Sequence, residues 1–393
     1  MTHRSDTSYT IADGHLSCDL LVVGGGVVGL WIARLAMQAG LEALVLERRR
    51  VGSGASGGLL GALMPHMPER WNPKKQFQFE ALSSLGNEVE KLEDEAGMTC
   101  GYRRCGRLLP LTRAHHAGLA AERSADVGTV WHPSETGFSW QVLDAPYKDA
   151  WPDPAAMPHG LVHETLAARI SPRRYLAALR KTIGSRIIED EAFERFDRET
   201  GTVVTSSGRT IRAGHTVIAA GTGSFEILGT MLSQEPSGFG SAVKGQAALL
   251  KADIGDELPL VFVDGLYVVP HEDGRVAVGS TSETKFDDAA KTDGQLDRLI
   301  ERAGDLCPAL RGAVVLERWA GLRPKAIGRD PMIGIVPGTR NLSVATGGFK
   351  ITFGIAHKMA ASALEVALNG HCGGLPESFR IDTHLTKAGS KAG

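Results

Sequence analysis

The chain has 393 residues, 42% of them hydrophobic, and its 43 basic and 45 acidic side chains leave a formal net charge of −2. That is apolar material for a sizeable core, and at ~100–200 residues per domain it suggests two domains. The balanced charge speaks against a surface for nucleic acid or acidic membrane, either of which needs a basic patch. The five cysteines, Cys18, Cys100, Cys105, Cys307 and Cys372, are odd in number and scattered, which reads as reduced thiols in a reducing compartment. Cys100 and Cys105 have no second pair at zinc-like spacing, so no metal site is predicted. The first 17 residues are polar, without the apolar centre of a secretory signal. The apolar segments are broken by Gly or charge well short of the ~20 residues of a spanning helix. The expectation is a soluble cytoplasmic protein without membrane insertion, with residues 1–17 and 384–393 as loose ends.

In chain order, Asp19–Val23 reads as a short buried strand, and Gly24, Gly25, Gly26 and Gly29 after it spell G-x-G-x-x-G. Val27, Leu30, Trp31, Leu35 and Ala36 recur at helical spacing up to Gly40, a good C-terminal stop. Leu44–Leu46 gives a second strand, completing a βαβ unit. Residues 77–97 show a helical stripe of Phe79, Leu82, Leu85, Val89 and Leu92. Residues 100–145 read as shorter pieces rich in Arg, Gly and aromatics. Residues 170–184 form another predicted helix, with Pro172 suited to its first turn. Short strands follow over 186–220, with a turn at Ser207-Gly208 and a buried strand at Thr216–Ala220. Strand patterns continue through 243–281, a helix falls near 293–305, strands resume to about 346, and a last helix covers 353–368. No linker, repeat or low-complexity block separates the two domains, so the chain is expected to cross between them more than once.

The glycine pattern has the context that gives it meaning: a strand before it, a helix after it, and an acid, Glu47, about 20 residues on at the end of the next strand. Gly24 permits a tight turn, Gly26 removes a side chain where a pyrophosphate approaches the backbone, and Gly29 lets helix and strand pack closely. The helix N-terminus offers N–H groups and partial positive charge to phosphates, and Glu47 can accept from ribose hydroxyls. A glycine-rich turn that binds nothing is the plainer alternative. Arg48, Arg49 and Arg50 would suit the 2′-phosphate of NADP, but the Gly/Ser-rich segment 51–66 follows where a helix start would be expected. There is one dinucleotide fingerprint, whereas enzymes with both flavin and nicotinamide usually carry two.

Several motifs in order then carry a resemblance: "VVGGGVVGL", "LERRRVGSGASGG", "ISPRRYLAAL", "TVIAAGTGS", "VKGQ", "YVVPHEDGRVAVGST", "WAGLRPKAIGRDPMIG" and "VATGGFKITFGIA". Over roughly residues 18–370 the chain resembles the flavin-dependent D-amino-acid oxidase, glycine oxidase and sarcosine oxidase family. The resemblance implies FAD and an α/β fold. A Rossmann-like FAD-binding domain (18–95, 165–240 and 320–383) would be interleaved with a second, α+β substrate domain on a mostly antiparallel sheet (96–164 and 241–319). It also implies that Gly24, Gly26 and Gly29 hold the pyrophosphate, with Val27 and Val28 beside them, and that Glu47 and Arg48 serve the adenosine ribose. Ser53, Ser56 and Gly57 would lie in the loop passing the diphosphate and flavin ring, Ala220 and Gly221 near the adenosine, and Gly347, Gly348, Phe349 and Lys350 beside the pyrimidine end of the flavin. The helix that follows would point its positive end at that ring.

For amine oxidation the substrate's carboxylate is the handle, and a bidentate guanidinium fits it best. Arg323 in "GLRP" matches the family's carboxylate-binding arginine; a salt-bridged arginine is the alternative. Lys350 matches a substrate-binding lysine of sarcosine oxidases and departs from the Arg-Asn-Gly usual in glycine oxidases; it could instead touch only the flavin. Tyr267 resembles a tyrosine that orients the carboxylate, or is a core aromatic. His66 falls where the flavin loop lines the site and could take a proton from the substrate ammonium, or is an ordinary loop histidine. His115 and His116 read as solvated loop residues, and residues 101–111 as a solvated strand in preference to a contact for an acidic substrate. No cysteine lies in 308–371, so the FAD is expected to be non-covalent. Ala277 stands where sarcosine oxidases use a lysine toward oxygen. The expected function is oxidation of glycine, sarcosine or a D-amino acid, with oxygen as acceptor; dimers and tetramers both occur in the family, so a homo-oligomer is one alternative, and no pattern in the sequence selects the oligomeric state. The alternative is a dehydrogenase of D-amino, N-methyl amino or 2-hydroxy acids that passes electrons to a quinone or a partner subunit. A flavoprotein without catalysis and a nicotinamide dehydrogenase are further alternatives.

Overall fold

The computed structural model describes residues 10–12 and 15–392. Two large sheets organise it. In the nine-stranded sheet, Leu342–Thr346, Thr210–Ile218, His15–Val23, Ala43–Leu46 and Ile187–Ile188 lie side by side and parallel. Leu20, Leu21, Val22 and Val23 are all buried, as are Ala43 to Leu46. Such unbroken apolar runs suit strands covered on both faces. One cover is the helix Val27–Gln38, which connects His15–Val23 to Ala43–Leu46 and packs against the helices Pro172–Ile183 and Thr352–Asn369. Its Trp31 is fully buried, and the indole N–H is satisfied by the Tyr175 hydroxyl at 2.6 Å. The helix Pro73–Ala96 begins on Asn72, whose side chain accepts from the Lys75 N–H, with Pro73 at the first helical position.

The eight-stranded sheet runs from Val314–Ala326 through Gly240–Lys251, Arg275–Gly279, Leu266–His271, Leu260–Val263, Arg107–Pro110 and Leu161–Glu164 to Trp140–Leu143. Its pairs are antiparallel except for Leu260–Val263 against Arg107–Pro110. Side chains alternate between its faces. Leu108, Val261, Val268, Val276 and Val278 pack on the helix Gly294–Leu306. Ala247, Leu260, Val269 and Ala277 face the other way, together with Tyr267 and Trp319. The strand Val314–Ala326 passes without interruption through residue 320, so the boundary expected there falls inside one element.

Four regions depart from the sequence reading. Residues 114–130 form a helix in a region expected as short pieces, and His115 and His116 sit in its first turn and not in a loop. Only Ala120 and Val127 of that helix are buried, so it carries no apolar stripe to announce it. Residues 384–392 of the expected loose end belong to the helix Ile381–Ala392, and buried His384 anchors it through Nε2 to the Pro331 carbonyl at 3.0 Å. At the other end, 10–12 and 15–17 are strand, and the rest of the expected loose N-terminus lies outside the described residues. Arg107–Pro110 is buried and not solvated, because Arg107 stands opposite Glu164 on the neighbouring strand with Nε 2.9 Å from the carboxylate. Phe349–Asn369 is apolar and long enough to span a membrane by composition. Here it is a core helix, with Ile355, Ala356, Met359, Ala360 and Ala363 buried.

Burial also sets an acid limit. His215 (Nε2 2.9 Å from the Ser343 hydroxyl) and His357 (Nε2 3.1 Å from the Ser84 hydroxyl) are both pushed down by burial from 6.5 to about 4. The folded chain takes these protons only near pH 4, whereas the unfolded chain takes them near 6.5. Their contribution is therefore present above pH 6.5 and is lost as pH falls toward 4. Urea midpoints should fall between pH 7 and pH 5, and the double variant His215→Gln/His357→Gln should flatten that slope.

Candidate active site

A cleft of about 1930 Å³, partly open to solvent, lies where the two sheets meet. At one end it is lined by the glycine loop. Gly24 has a φ of +119°, a conformation that only glycine adopts freely. A Cβ on Gly29 would lie 2.0 Å from the Gly24 carbonyl oxygen, so that glycine allows the helix to meet the strand. Gly26 is the N-cap and offers no side-chain bond, and a Cβ there would approach only the Ser56 hydroxyl, at 3.3 Å, leaving an open cradle. The Val27 N–H donates to that hydroxyl at 3.1 Å. Glu47 braces the loop: one carboxylate oxygen accepts from the Gly25 N–H at 2.7 Å and the other from the Arg49 N–H at 2.9 Å. Each oxygen keeps a lone pair for a further donor. Backbone without side chains, a helix N-terminus and a partly free carboxylate together suit a dinucleotide.

Of the residues singled out from the sequence, Gly24, Gly26, Val27, Val28, Glu47, Arg48, Ser53, Ser56, Ala220, Gly221, Tyr267, Arg323, Gly347, Gly348, Phe349 and Lys350 line this one cleft. Gly29, Gly57 and His66 do not. Gly29 acts through the close approach just described. Gly57 does the same within its loop, where a Cβ would lie 2.2 Å from the Gly52 carbonyl oxygen. The His66 backbone N–H donates to the Gln78 side chain at 2.7 Å, and burial together with Lys74 and Lys75 lowers its imidazole to about 4.

The other end of the cleft is cationic. The Arg323 guanidinium donates through Nη1 to the Ser280 hydroxyl at 3.0 Å and through Nη2 to the Thr281 and Lys244 carbonyls at 2.5 and 3.3 Å. Its buried Nε has no partner. Arg323 Cζ lies 5.4 Å, and Lys350 Nζ 5.8 Å, from the centroid of the same Phe349 ring. Neither cation forms an ion pair among the described residues. Burial lowers both pKa values, and Arg323 lowers Lys350 further. Burial raises the Tyr267 hydroxyl, against the opposing pull of Arg323 and Arg107, so it stays protonated. Ala277, the position compared with a lysine, is fully buried in the sheet.

Trp319, Gly245, Gln246 and Ser280 also line the cleft; they lie within the quoted motifs, and the sequence reading gives them no role of their own. Trp319 had a readable signal: on a strand, residues 319, 321 and 323 share a face, so it stands on the same side as Arg323. Gly245 did too, in hindsight of geometry, because a Cβ there would lie 2.4 Å from Arg323 Nη2. Ser280 carried none.

Comparison with known proteins agrees with this construction. Residues 19–362 match the DAO family, described as FAD dependent oxidoreductase. The glycine oxidase of Pseudomonas aeruginosa is 30% identical over 84% of this chain and 89% of its own length. That of Pseudomonas putida is 30% identical over 85% and 90%. The bifunctional protein ThiO/ThiG of a Synechocystis species is 28% identical over 94% of this chain, which spans 54% of that protein's length. Among solved structures, glycine oxidase from Geobacillus kaustophilus superposes with a TM-score of 0.81 at 22% identity, covering 93% of this chain and 98% of that one. Iminodiacetate oxidase from a Chelativorans species gives 0.78 at 21%, covering 92% and 98%. The fold is therefore α/β with a Rossmann-like FAD-binding part, and the chain belongs to the DAO family of FAD-dependent oxidoreductases.

Proposed function

We propose that this protein oxidises a small amino acid of the glycine, sarcosine or D-amino acid type at its Cα–N bond, with oxygen as acceptor. The observation that carries the reading is the pair Arg323 and Lys350, which flank one Phe349 ring and have no carboxylate partner. Half-buried Arg323 and the more exposed Lys350, neither answered by a carboxylate among the described residues, form a receptor for a carboxylate. The protonated Tyr267 hydroxyl can donate a third bond to it. The same cations disfavour the ammonium form of the bound amine, and the neutral nitrogen is the form whose Cα–H bond yields a hydride. That leaves no need for His66 as a base.

In this reading Gly24, Gly26, Val27 and Val28 cradle the pyrophosphate of a non-covalent FAD. Glu47 and Arg48 serve its ribose, Ser53, Ser56, Ala220 and Gly221 flank it, and Gly347 to Lys350 border its flavin. Bound FAD supplies the hydride acceptor. The amino acid loses two electrons and two protons, the imine takes up water to give a keto acid and ammonia or amine, and oxygen becomes hydrogen peroxide. We assign the parallel-sheet segments 18–95, 165–240 and 320–383 to the FAD domain and 96–164 and 241–319 to the substrate domain, with Val314–Ala326 shared. The five unpaired thiols support a cytoplasmic setting.

Anaerobic glycine, sarcosine or a D-amino acid should bleach the flavin bands of the holoprotein, and air should restore them. Bleaching by none would overturn the reading. Recovery fast with a quinone and slow in air would move the acceptor from oxygen to a quinone. Arg323→Ala should cost about 2–5 kcal/mol in kcat/KM, as truncation of a buried charge partner does. Because burial and Arg323 hold Lys350 below its usual 10.5, KM should begin to rise with pH below that value. Gly26→Val should weaken FAD retention by ~10-fold or more, about 1.4 kcal/mol, at unchanged far-UV circular dichroism.

A further inference from the structure

Arg323 is held from behind by a buried polar network that takes no direct part in the cleft. Lys244, Gln246, Thr281 and Glu283 are 3%, 0%, 8% and 8% exposed, and only Gln246 of the four reaches the cleft lining. The backbones of Lys244 and Glu283 exchange two N–H···O bonds of 2.9 Å, which clamps the segment 280–283 onto the strand Gly240–Lys251. Both clamped segments supply acceptors to the Arg323 guanidinium: Ser280 Oγ and the Thr281 carbonyl on one, the Lys244 carbonyl on the other.

The side chains lock this clamp in one direction. The Gln246 N–H donates to Thr281 Oγ1 at 2.9 Å, which directs the Thr281 hydroxyl proton to the Glu283 carboxylate. The same carboxylate oxygen accepts from Gln246 Nε2 at 2.9 Å. The other oxygen lies 3.6 Å from Lys244 Nζ, which also has Asp293 at 3.8 Å. The Gln246 side-chain oxygen accepts from the Asp293 N–H at 2.8 Å, tying the start of the following helix into the same unit. A buried carboxylate with this many donors is held in one geometry, and removing it would leave Lys244 as a buried cation answered only by the half-exposed Asp293.

We propose that Glu283, acting through Thr281 and Lys244, is the positioning residue that aims Arg323 at the substrate carboxylate. Its partners fix where the acceptors of Nη1 and Nη2 lie, and so fix the plane in which the Arg323 guanidinium meets the cleft. This rests on the amino acid reading above. A loss of Glu283 is therefore a loss of carboxylate affinity more than of the chemical step.

The test uses the FAD-loaded protein, with acetate as a carboxylate that cannot be oxidised and its flavin absorbance shift as the binding readout. Glu283→Gln, and Glu283→Gln/Lys244→Met to remove the stranded cation, should raise both KM and the acetate Kd about tenfold or more, the effect of losing one charged hydrogen bond, with kcat changed less than KM. Thr281→Val keeps every charge and removes the hydroxyl that links Glu283 to the Gln246 backbone N–H, and it should move KM and Kd in the same direction. Glu283→Asp should recover part of the affinity. If the double variant and Thr281→Val keep wild-type Kd and KM, Glu283 is a structural residue and the proposal fails. If even the wild type neither responds to acetate nor is bleached by any amino acid, the amino acid reading itself fails and takes the proposal with it.

Discussion

The cleft exists because two stretches of backbone touch. A Cβ on Gly29 would sit 2.0 Å from the Gly24 carbonyl, and one on Gly24 2.5 Å from the Ala219 carbonyl. Only glycines let the helix Val27–Gln38 start at the end of its strand and let the neighbouring strand Thr210–Ile218 run up beside it. Everything at that end follows from the contact. The helix N-terminus opens toward the cleft, the loop bearing Ser53 and Ser56 folds over it, and Glu47 braces Gly25 from the next strand. The apolar burial beneath supplies the stability, and the glycines decide where a phosphate group could approach.

The opposite wall obeys a different constraint. Placing two like charges near one another is unfavourable, and lowered pKa values for half-buried Arg323 and more exposed Lys350 express that cost and their partial desolvation. The protein offsets part of it with neutral acceptors and an aromatic face, Phe349; among the described residues no carboxylate pairs with either cation. A structural pair would carry an acid between them. In the proposed reading the anion that completes the site is the substrate's carboxylate, bound beside the cradle for the dinucleotide. Behind Arg323 the protein does use a carboxylate, Glu283, but spends it on Lys244, Gln246 and Thr281, so the guanidinium is aimed without being neutralised.

Much of this was legible in the sequence where local rules dominate. The strand–glycine–helix pattern, the acid at Glu47 and the runs "VIAAG" and "GGFK" each depend on residues close in the chain, and all reach the cleft. What stayed hidden depends on distant partners. Arg107 looks like a surface residue until Glu164 is placed opposite it. The helix Ala114–Val130 buries only two side chains, so its pattern carries no period. The terminal helix Ile381–Ala392 is fixed by His384 reaching Pro331, a contact no spacing announces. For His66 the sequence reading keeps both a proton acceptor and an ordinary loop histidine; residues 58–62 line the cleft, His66 does not, and its backbone N–H is held by Gln78. Trp319 is the opposite case, a residue that alternation along the strand places beside Arg323.

The central claim is that Arg323 and Lys350 form a carboxylate receptor beside the bound flavin. The most direct measurement is an equilibrium titration of the FAD-loaded wild-type protein with acetate and, separately, with ethylamine, following the flavin absorption bands. The account predicts a saturable spectral change with acetate and none with ethylamine at the same concentrations. A response to ethylamine alone, or to neither compound in protein that retains its flavin, would contradict it.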